Sequence, residues 1–182
     1  MSKGLLVLAF LFLLLPSILA EPNYIISNSE DWKDVYSSVL FANLQGIGSD
    51  FLISAAHGPI LFDGLSKENK LFIISSKERP FVLDSLNLTL SAGFNSVEEI
   101  KTSSANLELI SRLPDIKNFI VVGETSGDSA LAVVAYALET HSWVFLASKS
   151  NIKEINSILT SREVGNLLLY GDIDSEVTET LL

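Results

Sequence analysis

The sequence contains no cysteine and few basic residues. Its 182 residues include two histidines and 12 lysines and arginines, against 22 aspartates and glutamates. The lack of cysteine excludes disulfide bonds, thiol chemistry and cysteine-ligated metal sites. A net charge of −10 makes nucleic acids and anionic lipids poor partners, because the surface repels them. The fold must therefore be held by an apolar core, for which 48% hydrophobic residues are sufficient.

The first 20 residues have the pattern of a secretion signal. Lys3 gives a positive start, residues 5–15 form an unbroken apolar run, and Ala20 precedes Glu21 at a suitable cleavage point. An uncleaved membrane anchor is the alternative, but the run is shorter than the roughly 20 residues of a membrane span. We therefore predict a cleaved signal peptide over residues 1–20 and an extracellular or cell-surface location. Removal of Lys3 leaves 11 basic and 22 acidic residues, so the exported chain carries a charge of −11.

The remainder of the chain repeats itself. Asn-Tyr-Ile-Ile at 23–26 returns as Asn-Phe-Ile-Val at 118–121. In each copy a polar turn, a helical pattern and a second apolar run follow. These patterns lie at 34–44 and 51–54 in the first copy, and at 129–138 and 144–148 in the second. We predict two tandem strand–helix units, over residues 21–95 and 96–182. Because the sequence stops within a predicted helix, we expect the second unit to be truncated, as in a fragment of a longer protein.

Apolar runs of four or five residues alternate with helical patterns, which predicts parallel strands buried on both faces. The predicted fold class is α/β: a parallel, flavodoxin-like or Rossmann-like sheet with helices on both faces. The predicted strands are 24–27, 51–56, 70–75, 119–122, 143–147 and 166–170. The predicted helices are 34–44, 96–113, 129–138 and 152–159, with a last helix starting at 174–175 and a turn at 57–59.

Ligands of parallel sheets bind at the carboxyl ends of the strands. Here those ends lead into two polar loops, at 27–31 and 123–128. The weak candidates for ligand or partner binding are residues of these loops and of the helices that follow: Asp31, Trp32, Asp34, Gly127, Asp128 and Ser129. Trp32 lies in a polar loop and is a candidate contact, whereas Trp143 lies between apolar strand residues and is expected in the core.

Two chemical alternatives, a serine hydrolase and a cation site, involve these loops or other acidic stretches. Gly127-Asp128-Ser129 suggests a serine hydrolase, but its base would have to be His57 or His141, and no Asp-x-x-His motif stands near the C-terminus. A serine that begins a helix is the favoured interpretation. Carboxylates could bind a cation at three places, which are Glu30 with Asp31 and Asp34, Glu124 with Asp128, and Asp172 with Asp174.

None of these carboxylate groups has calcium-loop spacing, and acidic residues are favourable at helix N-termini. We therefore predict no catalytic residue, no metal site and no cofactor. The sequence Asn87-Leu88-Thr89 is a glycosylation sequon, so Asn87 is a candidate glycan acceptor in an exported chain.

The second copy resembles a known family through a series of short motifs. They are 119–123, Gly-Asp-Ser-Ala-Leu-Ala at 127–132, 143–146, Ile-Lys-Glu-Ile at 152–155, 167–171 and Asp-Ser-Glu-Val at 174–177. In this order they resemble the cell wall-binding repeat type 2 family of bacterial and archaeal surface proteins. In the first copy, Asp34 matches the aspartate of the family's acidic turn. Ser129 replaces that aspartate in the second copy, and Gly171-Asp172 replaces a double glycine.

The resemblance implies a module associated with a surface layer or cell envelope. Family members hold proteins on anionic wall polymers, a ligand that the charge of −11 disfavours here. Our first hypothesis is a non-catalytic cell-surface module that associates with an envelope polymer, with surface-layer subunits or with itself as a homo-oligomer. The alternative is an exported ligand-binding protein with a cleft between its two units, and a hydrolase using Ser129 comes third.

Overall fold

The computed structural model describes residues 22–125 and 127–182, which form seven strands and seven α-helices. The predicted signal peptide and Ser126 lie outside the described residues. The strands are β1 (Tyr24–Asn28), β2 (Gly48–Phe51), β3 (Leu71–Ser76), β4 (Val97–Thr102), β5 (Asn118–Gly123), β6 (Ser142–Ala147) and β7 (Asn166–Tyr170). The helices are α1 (Trp32–Gln45), α2 (His57–Gly64), α3 (Ser85–Ser91), α4 (Ala105–Leu109), α5 (Gly127–Glu139), α6 (Ile152–Thr160) and α7 (Ser175–Leu181).

The strands form two parallel sheets, which confirms the α/β class with parallel strands. The first sheet has the order β2-β1-β3-β4 and the second has the order β6-β5-β7. All strand pairs are parallel. The apolar runs that predicted buried strands form the interior strands β1, β3 and β5 and the edge strand β6, which is buried along its whole length.

The two sheets share one arrangement of three strands. β1 has β2 on one side and β3 on the other, just as β5 has β6 and β7. Tyr24 and Phe119 thus both lie in strands with neighbours on both sides. This order agrees with the predicted duplication, which stays a prediction. Residues 97–102, which we assigned to the second unit, pair with β3 in the first sheet.

α1 lies between the two sheets. It packs against β1 and β3 of the first sheet and against β6 and α5 of the second. The larger core therefore joins side chains from both sheets, such as Phe72, Ile120 and Val144. A smaller core on the other face of the first sheet contains Ile26 and Phe62.

The predicted second strand and the following turn were wrong. The strand covers Gly48–Phe51, because Gly46 ends α1 in a left-handed conformation and the chain pairs with β1 almost at once. In the apolar run that suggested 51–56, Leu52 is buried but Ile53 is 61% exposed. His57 does not lie in a turn but begins α2.

The predicted helix over 96–113 was wrong in its first half. Val97–Thr102 forms β4, and α4 begins only at Ala105. All six residues of β4 pair with β3. Three of them, Val97, Ile100 and Thr102, are β-branched and suit a strand, and the pairing outweighs the helical spacing of the apolar residues. Ser104 accepts a hydrogen bond from the backbone N–H of Leu107 and begins the helix there. The remaining predicted elements, including 34–44, 70–75, 129–138, 152–159 and 166–170, are confirmed within one to three residues at most boundaries.

Candidate functional site

The candidate residues lie at the starts of two helices. Asp31, Trp32 and Asp34 are at the start of α1, which follows β1, and Gly127, Asp128 and Ser129 are at the start of α5, which follows β5. The two helices contact each other. The hydroxyl of Tyr36 in α1 donates a hydrogen bond to the backbone oxygen of Ala130 in α5, at 3.0 Å. The fold therefore brings the two predicted loops to the same end of one helix pair.

A largely apolar groove of about 660 Å³ lies between α1 and α5. Its lining residues are Trp32, Val35, Tyr36, Val39, Leu40, Asn43, Phe51, Gly127, Asp128, Leu131, Val134 and Leu138. Several of its large apolar side chains are exposed: Trp32 and Phe51 by 41% each, and Leu131 by 67%. Three predicted residues, Trp32, Gly127 and Asp128, thus contribute to the groove.

The groove follows from a second apolar stripe on α5. Ala130, Val133 and Ala137 are buried, and their spacing of three and four residues defines the stripe that faces the core. Leu131 and Val134, one position further along, form a second stripe that lines the groove. Sequence reasoning missed this stripe, although its signal was present. A helix that packs against one layer of the fold needs only one apolar face. The second apolar face of α5 therefore remains available to line the groove.

On α1 the apolar residues divide in a similar way. Phe41 and Leu44 are buried away from the groove, whereas Trp32, Val35 and Val39 line it. Leu40 is buried and also lines the groove. Trp32 packs edge-on against Tyr36, with ring centroids 6.3 Å apart. Trp143 is fully buried, which confirms its expected place in the core. Trp32 is 41% exposed, but it begins α1 rather than lying in a polar loop, and its role as a contact stays a prediction.

Asp31 and Asp34 have bonding partners inside the chain. Asp31 accepts a hydrogen bond from the backbone N–H of Lys33 and forms an ion pair with Arg79 at 3.4 Å. The buried Asp34 carboxylate accepts from the backbone N–H of Ala105 at 2.9 Å and from the Ser29 hydroxyl at 2.7 Å. Asp34 therefore connects the start of α1 to the start of α4.

Burial also changes the ionisation of Asp34. Loss of hydration raises the pKa of the Asp34 carboxyl above its usual value, although the hydrogen bonds from Ala105 and Ser29 act in the opposite direction. This buried carboxyl group stabilises the packing of two helices. It does not point into the apolar groove, but lines a smaller polar cavity of about 230 Å³ with Lys33 and Glu124.

In the described part of the chain, no group of three or more histidine, aspartate or glutamate side chains is placed to hold a metal ion. Glu124 is 3.4 Å from the ammonium group of Lys33, and Asp174 is 3.2 Å from that of Lys149. Asp174 also accepts from the backbone N–H of Glu176 and begins α7. Asp31 and Asp174 are both N-cap residues, whose carboxylates accept hydrogen bonds from free backbone N–H groups at the start of a helix.

The hydrolase hypothesis requires a histidine near Ser129. Ser129 lies in the first turn of α5, and His141 follows the last turn of the same helix. At 1.5 Å per residue, the ten residue steps from Ser129 to the helix end at Glu139 span roughly 15 Å, and His141 lies beyond that end. His57 begins α2, which packs on the other face of the first sheet through Phe62. The positions of these two histidines do not favour a catalytic base beside Ser129.

Asn87 is exposed in α3, and its side-chain amide donates a hydrogen bond to the Asp84 carboxylate at 2.6 Å. Its exposure is compatible with the predicted glycan, which stays a prediction. None of the described helices combines the length and the apolar character needed to cross a bilayer.

Comparison with protein-family models, characterised proteins and solved structures found no match to this chain. The resemblance to the cell wall-binding repeat type 2 family therefore stays a prediction that depends on the motifs named above.

Proposed function

We propose that this chain is a non-catalytic, exported surface module that associates with the cell envelope or surface layer through the groove between α1 and α5. The observation that carries the proposal is the exposed apolar character of this groove. Exposed apolar patches on acidic proteins are costly in solubility and mark sites of association. Trp32, Phe51 and Leu131 contribute the largest exposed apolar side chains there.

The acidic surface of the protein disfavours negatively charged partners. With 22 acidic and 12 basic residues, the protein repels polyanions. Apolar contact in the groove, with Asp128 at its end, suits a surface-layer subunit or a neutral envelope polymer better than an anionic wall polymer or a nucleic acid.

A second function is favoured by the size of the groove. A volume of about 660 Å³ lies within the range of small-molecule pockets, and aromatic and aliphatic side chains dominate its lining. An exported binding protein for a small apolar ligand is therefore the second candidate, with the groove as the predicted cleft between the two units.

The test uses the exported chain and isolated cell envelope. We expect the wild type to sediment with the envelope, and a Phe51→Gln, Leu131→Gln variant to lose most of this binding. The matched control is Ile60→Gln with Leu83→Gln, because these side chains are 72% and 81% exposed and lie outside the groove. Equal loss in both variants would contradict a role for the groove.

Fluorescence separates the two candidates. Trp143 is buried in the core, so a soluble quencher reports mainly on Trp32 at the groove. Protection of Trp32 by small apolar ligands, without sedimentation on envelope, would favour the ligand-binding protein. Ester hydrolysis that disappears in Ser129→Ala would instead contradict the non-catalytic proposal.

A further inference from the structure

A second cavity, of about 500 Å³, lies at the carboxyl ends of the strands of the second sheet. The last residues of β5 and β6 line it, together with the loops that follow β5, β6 and β7. We call this cavity the sheet-end crevice. It has no lining residue in common with the groove between α1 and α5, so the two are separate places on the molecule.

The strand order explains why an opening lies there. From β5 the chain crosses to β6 on one side, and from β6 it returns over β5 to β7 on the other side. Because such crossovers are right-handed, α5 and α6 lie on opposite faces of the sheet, and α7 contacts α6. The loops after β5 and β7 therefore leave the sheet in different directions, and ligands of parallel sheets bind at such a point.

In the first sheet, a side chain of the protein itself closes the corresponding place. Asn28, the last residue of β1, donates a hydrogen bond to the Val82 carbonyl at 2.8 Å and accepts one from the Val82 N–H at 3.0 Å. These bonds hold the loop after β3 across the end of β1. Asn28 is fully buried there.

In the second sheet, a glycine takes the position of Asn28. Gly123 is the last residue of β5 and has no side chain that could reach the loop after β7. This loop approaches by its backbone instead, since a Cβ at Gly123 would lie 2.7 Å from the carbonyl oxygen of Asp172. The exposed side chain of Asp172 lines the crevice. The sheet end that is filled at β1 is thus open at β5.

The crevice offers both donors and acceptors of hydrogen bonds. Its polar lining comprises three carboxylates, one ammonium group and the hydroxyls of Thr125, Ser148 and Ser150. Two of the carboxylates have a lysine partner, since Glu124 lies 3.4 Å from the Lys33 nitrogen and Asp174 lies 3.2 Å from the Lys149 nitrogen. Among the described residues, the third carboxylate, Asp172, has no ion-pair partner.

Bonds within the protein hold the loop after β6 in place. The backbone N–H of Ser148 donates to the side-chain oxygen of Asn151 at 2.8 Å, and the side-chain amide of Asn151 donates to the Leu146 carbonyl at 2.8 Å. The hydroxyl oxygens of Ser148 and Ser150 lie 2.8 Å apart. The crevice is therefore preformed on this side, and its volume lies within the range of small-molecule sites.

We propose that the sheet-end crevice binds a neutral saccharide. A sugar hydroxyl both donates and accepts, so it can donate to the Asp172 carboxylate and accept from the Lys149 ammonium group or from a serine hydroxyl. Hydrogen bonds to charged groups are the stronger ones, and here they need no charge on the ligand. This inference goes beyond the proposed function, because the site does not involve the groove.

The other ligand classes fit the lining less well. The carboxylates outnumber the ammonium group, which disfavours an anion. Lysines neutralise two of the three carboxylates, so little charge is left to attract an organic cation. No group of three metal-ligating side chains is placed to hold a metal ion in the part of the chain that the structure describes.

The test is a titration of the exported chain, followed through its backbone amide signals in NMR spectra. The probes are neutral trisaccharides of glucose, galactose, mannose and N-acetylglucosamine, each added to about 10 mM. We expect at least one of them to shift the amides of residues 123–125 and 147–150. No shift there with any trisaccharide would overturn the proposal, whether or not calcium, phosphate or spermidine causes one.

Two variants test the residues that form the site. Asp172→Asn should weaken saccharide binding about tenfold, because it removes the charge that accepts the sugar hydroxyl. Its matched control is Asp63→Asn, at an exposed aspartate in α2, which should bind like the wild type. Equal affinities of the wild type and Asp172→Asn would overturn the role of this carboxylate and the proposal with it.

Gly123→Ala should weaken binding without a change of charge, since its Cβ would displace the Asp172 carbonyl. The control is Gly127→Ala, because a Cβ at Gly127 would meet open space. Circular dichroism checks that both are folded. A folded Gly123→Ala chain with wild-type affinity would contradict the proposed position of the site.

The outcomes separate this inference from the proposed function. The groove variant Phe51→Gln, Leu131→Gln should bind the saccharide as tightly as the wild type, and a loss of saccharide binding in this folded variant would overturn the crevice as the site. Failure of every trisaccharide to bind would leave the groove proposal standing. Failure of the wild type to sediment with the envelope would contradict the proposed function and leave the crevice to be judged by the titration alone.

Discussion

The side chain of Asn106 takes the place of a neighbouring strand beside Val144. Its amide nitrogen donates to the backbone oxygen of Val144 at 2.9 Å, and its amide oxygen accepts from the backbone N–H of Leu146 at 3.2 Å. The same nitrogen donates to the Ser37 hydroxyl at 3.0 Å. Asn106 lies in α4, which follows the first sheet. Its side chain thereby pairs with backbone groups at the edge of the second sheet and links that edge to α1.

Replacing this amide should be costly. In Asn106→Asp, a carboxylate oxygen would face the Val144 carbonyl in a buried site, so we expect a loss of about 3 kcal/mol in the free energy of unfolding. Urea unfolding measures the loss. The matched control is Asn43→Asp in α1, where the amide is exposed and donates to the Val39 carbonyl. The control should change by about 0.5 kcal/mol or less, and equal losses would contradict the role of Asn106.

Asp34 should make the protein less stable as the pH rises through the acidic range. Burial raises the pKa of Asp34 in the folded chain above its usual value of 3.8, so the unfolded chain loses this proton first. The folded state then binds more protons than the unfolded state, and the unfolding free energy falls until the pH exceeds the raised pKa.

The variant Asp34→Asn should remove this contribution, because its amide oxygen can still accept from Ala105 and does not ionise. Urea unfolding at pH values between about 4 and 7 compares it with wild type. The control is Asp63→Asn, an exposed aspartate in α2. An unchanged pH profile in Asp34→Asn would show that the buried carboxyl does not contribute in this range.

Gly171 and Gly46 should respond differently to alanine. Both have positive φ angles, +83° and +66°, which cost a side chain about 1–2 kcal/mol. A Cβ at Gly46 would meet open space, but at Gly171 it would lie 2.6 Å from the Ser129 hydroxyl oxygen. We therefore expect Gly171→Ala to lose about 1 kcal/mol more stability than Gly46→Ala.

A double variant tests the cause. If the contact with Ser129 is responsible, Gly171→Ala should cost less in a Ser129→Ala background, and thermal unfolding of the four chains measures this coupling. Additive losses would assign the whole effect of Gly171→Ala to its backbone conformation.

Tyr36 should stabilise the contact between α1 and α5. Tyr36→Phe removes the hydrogen bond to Ala130 and should cost about 1 kcal/mol. Burial also raises the pKa of the Tyr36 hydroxyl above its usual 10.0. Since the folded chain retains this proton after the unfolded chain has lost it, stability should fall as the pH rises above 10.0.

That alkaline loss should be smaller in Tyr36→Phe, as measured by urea unfolding at alkaline pH. Tyr136→Phe, at a tyrosine that is 51% exposed in the wild type, is the control and should keep the wild-type profile. A wild-type alkaline profile in Tyr36→Phe would assign the loss to other groups.

The strands with strong apolar runs were predictable, including the edge strands β6 and β7, whereas the edge strands β2 and β4 were not. Residues 70–75 and 119–122 have four or more consecutive apolar or small residues, and each forms an interior strand. β2 and β4 are short or charged, and both lie at edges. A half-exposed strand has little apolar signal of its own, because much of its stability comes from hydrogen bonds to a neighbour distant in sequence.

The residues of the candidate site were also only partly predictable from the sequence. The loops at the ends of β1 and β5 indicated Trp32, Gly127 and Asp128, which do line the groove. The same reasoning also named Asp34, whose carboxylate bonds to Ala105, 71 residues later in the chain. Leu131 and Val134 were missed, since apolar residues on an amphipathic helix are expected to face the core.

By itself, the sequence determined the α/β class, the parallel strands and the starts of most helices, since hydrophobic period and capping side chains act over a few residues. Only the tertiary structure decided that the strands divide into two sheets, that Asn106 covers the edge of β6, and that α1 and α5 leave a groove between them. These features depend on contacts between segments far apart in the chain, and no local pattern encodes which surfaces remain uncovered once the segments pack.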